Sequence, residues 1–149
     1  MRSPRPTILV VDDDLAITRL VTSFLQKHFG DEVLIEPFHV AELAMQRFER
    51  GGIDVLITDL QMPDFTGIDL LRAARDRDAC TQTLFITGSS SRTALLEAME
   101  LGASDYLLKP LDESEITTLV EEALRRRARW NQALQGTWNL DAENAPVTP

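Results

Sequence analysis

Three consecutive aspartates, Asp12, Asp13 and Asp14, follow the apolar run TILVV at residues 7–11. A further aspartate, Asp59, closes a second apolar run, IDVLITD at 53–59. Thr87 stands near the end of TLFITG (83–88), and Lys109 ends SDYLLK (104–109) with Pro110 behind it. Adjacent carboxylates repel, and near a protein interior the repulsion is worth kilocalories rather than tenths. Such a group either points into water or belongs with a cation. Carboxylates without thiol or imidazole suit a hard divalent cation such as Mg2+, which keeps several waters and helps bind phosphate oxygens. A lysine adds a point charge for a phosphoryl oxygen, and a threonine hydroxyl can donate to the same group. An aspartate beside the metal can act as a nucleophile and become an aspartyl phosphate. Together these residue types fit phosphoryl transfer onto Asp59.

That chemistry needs a fold that brings four distant segments together, and the hydrophobic pattern describes one. Short apolar strands at 7–11, 32–38, 53–59, 83–88 and 104–109 alternate with helical stretches at 16–29, 41–51, 67–77, 93–102 and 113–130. Ile17, Leu20, Val21, Phe24 and Leu25 recur at helical spacing, and Gly30 stops that helix. Five strands alternating with five helices predict an α/β fold with a parallel sheet covered on both faces. In such a sheet ligands bind beyond the carboxyl ends of the strands. Asp12–Asp14, Asp59, Thr87 with Gly88 and Ser89, and Lys109 all fall there. Asp14 also precedes a helix and is expected to cap it rather than bind metal. Asp64 or Thr66 is placed to cap the helix after Asp59.

With 149 residues, 44% of them hydrophobic, the chain suits one domain with a real core. A formal net charge of −9 argues against general nucleic-acid affinity. Cys80 is the sole cysteine, so neither an intramolecular disulfide nor a thiolate zinc cluster is available. No apolar run reaches the roughly 20 residues of a membrane span, and the N-terminus does not read as a signal peptide, so a cytoplasmic protein is expected. The basic run RRRAR at 125–129 is expected to suit the C-terminal end of a helix that starts with Glu113 and Glu115. After about Gln135 the pattern stops and a loose tail is expected. Trp130 and Trp138 either anchor a partner or cover a helix end.

The segments VVDDD, ITDLQMPDFTGIDLL, ITG and SDYLLKP resemble the receiver domains of two-component response regulators, over roughly residues 6–128. The resemblance implies a flavodoxin-like sheet of order 2-1-3-4-5, with an arm at 1–5 and a helix extension and flexible tail at 129–149. It implies that Asp59 accepts phosphate from a sensor histidine kinase or a histidine phosphotransfer protein. Asp13, Asp59 and the backbone carbonyl of Gln61 would ligate Mg2+, or Mn2+ in its place, with Asp12 acting through water. Lys109 would pair with the phosphoryl group, Thr87 would hydrogen-bond it, and Tyr106 would be the switch aromatic, with a core tyrosine as the alternative for its apolar strand. The Lys109–Pro110 peptide would be cis. Gln61, two residues after Asp59, would tune dephosphorylation. The protein would then be a phosphoacceptor switch, not a conventional enzyme, acting on a downstream protein target, with homodimerisation left open.

Two other phosphate-handling classes share parts of this pattern. A haloacid-dehalogenase-type phosphatase would want an acid two residues after its nucleophile, where Gln61 stands. An FMN carrier would want a Ser/Thr/Gly-rich loop after the first strand, where three aspartates would repel a phosphate. A receiver-like module that never needs phosphate is the third alternative. No second domain is expected after the last helix, which suits a single-domain regulator, a relay intermediate or a receiver cut from a longer protein.

Overall fold

The computed structural model describes residues 4–88 and 92–144, with 138–144 as helical backbone. The elements alternate as expected: β1 (Thr7–Val11), α1 (Leu15–Phe29), β2 (Leu34–Phe38), α2 (Ala41–Phe48), β3 (Val55–Asp59), α3 (Gly67–Arg77), β4 (Gln82–Thr87), α4 (Arg92–Glu100), β5 (Asp105–Leu108) and α5 (Glu113–Asn144). A short 3-10 turn at Gly30–Glu32 separates α1 from β2. All strand pairs are parallel, in the order β2-β1-β3-β4-β5.

Burial follows that order. Every residue of β1, β3 and β4 is buried, whereas β2 and β5, at the two edges, are largely half-buried or exposed. The continuous apolar runs of the inner strands exist because helices cover both faces. On one face Ile8, Val10, Ile57 and Ile86 pack with Val21 and Leu25 of α1 and Ile116 and Val120 of α5. On the other, Leu9, Val11 and Leu56 pack with Ala44 and Phe48 of α2 and Leu70 of α3. Phe85 joins Leu71 and Ala98 there. Alternate residues of one strand thus serve opposite layers, as the period of two requires.

The β2 edge has a local feature. The Leu34 N–H donates to Pro6 O, and Phe38 O accepts from the Asp12 N–H, so residues 34, 36 and 38 turn their backbone groups toward β1. Pro37 lies between them, so its side of the backbone, which lacks an N–H, faces the open edge.

The main departure from the sequence reading is α5, which runs 32 residues to Asn144 instead of ending near 130. Once a helix is nucleated, each further residue adds a hydrogen bond without a new nucleation cost, so weak helix formers such as Gly136 are carried along. The loose tail expected after Gln135 is therefore helical to 144, and residues 145–149 lie outside the described residues, as does Ser89. The basic run at 125–129 is consequently mid-helix and cannot serve the C-terminal dipole. Its central arginine has a different use: Arg127 pairs with Asp54 at 3.2 Å and Asp78 at 2.7 Å, under the opposite end of the sheet from the aspartate run. No helix among the described residues is long and apolar enough to cross a membrane.

Candidate functional site

The carboxyl ends of β1, β3, β4 and β5 bring the expected residues into one corner. Asp12 directly follows β1 and is 1% exposed, while Asp13 beside it is exposed. Asp59 is the last residue of β3 and is nearly buried. Carboxylate oxygens of Asp12, Asp13 and Asp59 lie within 4.8 Å of one another. Lys109 reaches in from the end of β5, its Nζ 3.2 Å from Asp12 Oδ2 and 3.3 Å from Asp59 Oδ2. The Lys109–Pro110 peptide is cis. Thr87 ends β4 and is buried.

Backbone donors hold the acids in place. Asp12 Oδ1 accepts the Asp14 N–H at 2.8 Å, and Asp59 Oδ1 accepts the Gln61 N–H at 3.3 Å. Asp14 takes no part in the cluster: its carboxylate accepts the Ala16 N–H and caps α1, as expected. Thr66 caps α3 in a reciprocal capping box with Asp69, so Thr66 rather than Asp64 fills that role. Gly67 opens α3 for a reason the turn pattern did not reveal. A Cβ there would lie 2.3 Å from the Asp59 carbonyl oxygen and 2.8 Å from Phe85 Cε1, so only glycine lets α3 start against the site strand.

The charges do not balance. Burial pushes the Asp12 carboxyl above its ordinary value, and the negative Asp59 adds to this, outweighing the Asp14 N–H and Lys109. Burial alone would lower Lys109, but Asp12 and Asp59 more than offset it and hold the ammonium above its ordinary value. Lys109 is therefore firmly charged, yet one lysine faces three acids. Asp12 Oδ2 has the shared Lys109 ammonium 3.2 Å away, and among the described residues no well-aligned hydrogen bond reaches it. A buried carboxylate oxygen served only by a lysine it shares, next to two further carboxylates and free of thiol or imidazole among the described residues, fits a hard divalent cation.

Tyr106 is 51% exposed and projects from β5. The core-tyrosine reading of its strand is thus wrong, because β5 is an edge strand with only Leu107 fully turned inward. Among the described residues Tyr106 makes no hydrogen bond to the acidic cluster; its own N–H donates to the Asp105 carboxylate. Sequence reasoning missed the cluster at the other end of the sheet, where Arg127 joins α5 to residues 73 and 49 positions away.

Residues 8–121 match the family model of the response regulator receiver domain. The chain is similar to the transcriptional regulatory protein TrcR of Mycobacterium tuberculosis, 34% identical over 146 residues that cover 95% of this chain and 56% of that protein. It is also similar to the transcriptional regulatory protein CpxR of Escherichia coli K12, 34% identical over 132 residues, covering 89% of this chain and 54% of that protein. The chain thus spans about half the length of these curated relatives. Among solved structures, a response regulator receiver domain protein from Clostridium thermocellum has a TM-score of 0.76 at 26% identity, covering 84% of this chain and 98% of that one. The Vibrio cholerae chemotaxis protein CheY4 has a TM-score of 0.72 at 26% identity, covering 81% of this chain and all of that one (100%).

Proposed function

The chain belongs to the response regulator receiver domain family, and on that premise we propose that it accepts a phosphoryl group on Asp59 and so switches a protein-interaction surface. The observation that carries the reading is the under-neutralised cluster of Asp12, Asp13 and Asp59 with Lys109 at 3.3 Å from Asp59. The donor is a phosphohistidine of a sensor kinase or phosphotransfer protein. A carboxylate oxygen of Asp59 attacks phosphorus in line, the P–N bond breaks, and the electron pair leaves with the imidazole.

Asp13, Asp59 and the Gln61 carbonyl would hold a Mg2+ ion, or Mn2+ in its place, with Asp12 acting through water. When bound it neutralises charge on the transferring group. The chain's own residues do the rest. Lys109 leaves its shared position between Asp12 and Asp59 and pairs with a phosphoryl oxygen. Thr87, at the end of the neighbouring strand, donates its hydroxyl to another. The added charge, about −1.5 to −2 by analogy with other phosphorylated side chains, shifts a population between two surface states by its differential contacts with each. Tyr106, now outside, turns toward the space near Thr87, and the face built from α4, β5 and α5 changes with it. Gln61 faces the water that later attacks the acyl phosphate and tunes its lifetime. The protein is thus a phosphoacceptor switch of the cytoplasm, with residues 6–128 as the receiver and a downstream protein as its target.

The experiment is labelling with a small-molecule phosphodonor in the presence and absence of Mg2+. Incorporation that depends on Mg2+ and is lost in Asp59→Asn supports the reading. Labelling that persists undiminished in Asp59→Asn overturns it.

A further inference from the structure

A cavity of about 540 Å³ lies at the amino ends of β4 and β5, the opposite end of the sheet from Asp59. Among the described residues two arginines and no acid border it, although the chain as a whole has a formal charge of −9. Arg75 comes from the last turn of α3 and Arg126 from α5. Neither has a carboxylate within ion-pair distance among the described residues. Arg126, Trp130 and Leu134 follow one another at intervals of four along α5 and so share a face. Trp130 and Leu134, both more than half exposed, form the apolar wall of the same cavity.

Both guanidinium groups have a seat in the fold. Arg126 Nη1 donates to Gln82 Oε1 at 3.2 Å. Gln82 is buried, and it is fixed in turn: Oε1 also accepts the Ser104 hydroxyl at 2.8 Å, and Nε2 donates to Cys80 O at 3.1 Å. A neutral amide orients Arg126 without cancelling its charge. Arg75 lies across Gly102, which has a φ of 90°, and a Cβ there would run into Arg75 Nη1. A guanidinium held this way, with its charge unmatched, presents its remaining N–H groups as a planar fork suited to phosphate oxygens. The indole beside it offers a face on which a heterocyclic base can stack.

We propose that this cavity binds a nucleoside polyphosphate, with the base stacked on Trp130 beside Leu134 and the phosphate chain held between Arg75 and Arg126. A phosphate chain alone would leave the apolar wall unused, and a nucleoside alone would leave both arginines unmatched. The volume is in the range of small-ligand sites. The site is remote from Asp59 and does not depend on phosphoryl transfer.

Isothermal titration calorimetry of the whole chain with ATP tests this, in EDTA so that no Mg2+ links the nucleotide to the acidic cluster. Binding of one ATP per chain with a dissociation constant below about 100 µM is expected. Adenosine and tripolyphosphate should each bind at least about tenfold more weakly. Trp130→Ala should weaken ATP binding about 10- to 100-fold, and Trp130→Phe, which keeps a ring, by less than about tenfold. Arg75→Gln and Arg126→Gln should each weaken it about tenfold. Arg19→Ala, which removes an exposed arginine of α1, should leave it unchanged. No binding at about 1 mM ATP, tripolyphosphate as tight as ATP, or indifference to Trp130→Ala would overturn the proposal. Circular dichroism melts of each variant separate a lost site from a lost fold.

Discussion

The two ends of the sheet carry the same ingredients in different proportions. At the carboxyl ends, Asp12, Asp13 and Asp59 face one lysine, and among the described residues the buried Oδ2 of Asp12 has only that shared ammonium beside it. At the amino ends, Asp54 and Asp78 face one arginine, and each acid also accepts a backbone N–H, from Thr7 at 2.8 Å and Cys80 at 2.9 Å. Arg127 divides its planar fork between both acids, whereas Lys109 is a point charge between two. The lower cluster holds Asp78 below its ordinary carboxylate value, chiefly through the Arg127 hydrogen bond, and holds Arg127 above its own. The upper cluster pushes Asp12 the other way. One end is a lock that is already closed; the other is held open at a cost, and that cost is what makes it responsive.

The largest expected effect comes from breaking the lock. Arg127→Ala leaves two carboxylates without their cation and should cost about 3 kcal/mol in urea denaturation, a figure already discounted for the partial exposure of Asp78. Millimolar Mg2+ should not restore it. Lys109→Met at the other end should also lose stability, but there Mg2+ should return about 1–2 kcal/mol, because a cation that binds only the folded state stabilises it by mass action. Equal Mg2+ rescue of both variants would erase the distinction.

Next in size is Asp12→Asn. The amide keeps an oxygen for the Asp14 N–H while removing a disfavoured charge, so in metal-free buffer it should melt about 2–4 °C higher than the parent, corresponding to about 1 kcal/mol. It should also lose most of the Mg2+-induced shift in melting temperature.

The pH dependence separates the two ends by sign. Asp78 titrates below its ordinary 3.8 in the folded state, so its contribution is present above that value and lost as pH falls through the depressed folded value. Asp12 is raised above 3.8, so stability falls as pH rises from there through its elevated folded value. The stability gap between parent and Arg127→Ala should therefore narrow in acid below about pH 4, whereas the advantage of Asp12→Asn should vanish at higher pH, as pH falls through the elevated folded value of Asp12 toward 3.8. Urea denaturation from pH 3 to 8 measures both. The smallest effect is Thr66→Ala, which removes the α3 cap at a cost of about 1 kcal/mol and should leave the labelling of Asp59 intact.

The upper end was legible in the sequence and the lower end was not. Asp12, Asp59, Thr87 and Lys109 each terminate an apolar run, so knowing that the strands are parallel places them together without further information. Asp54 was read inside a strand at 53–59 and lies just before β3, Asp78 sits in a loop, and Arg127 is one of four arginines in a five-residue stretch. Nothing local distinguishes it from its neighbours, and only the angle at which α5 crosses the sheet selects it. The end of α5 was misjudged because composition weakens after Gln135 while helical propagation does not need strong formers. Gly67 was read as part of a turn, whereas its absence of a side chain answers to Asp59 and Phe85, contacts that depend on the packing of α3. Tyr106 was ambiguous because an edge strand and an inner strand of four residues read alike.

Pro37 gives the sheet a direction of growth. An extended chain approaching β2 would look for a regular ladder of donors and acceptors, and it meets a missing donor on the side it must use. The flank far from Lys109 is thereby protected against strand addition, including the self-templated stacking that leads to fibrils. Any partner, wanted or unwanted, that recruits this sheet through its backbone is steered to β5, the strand that carries Tyr106 and leads into Lys109.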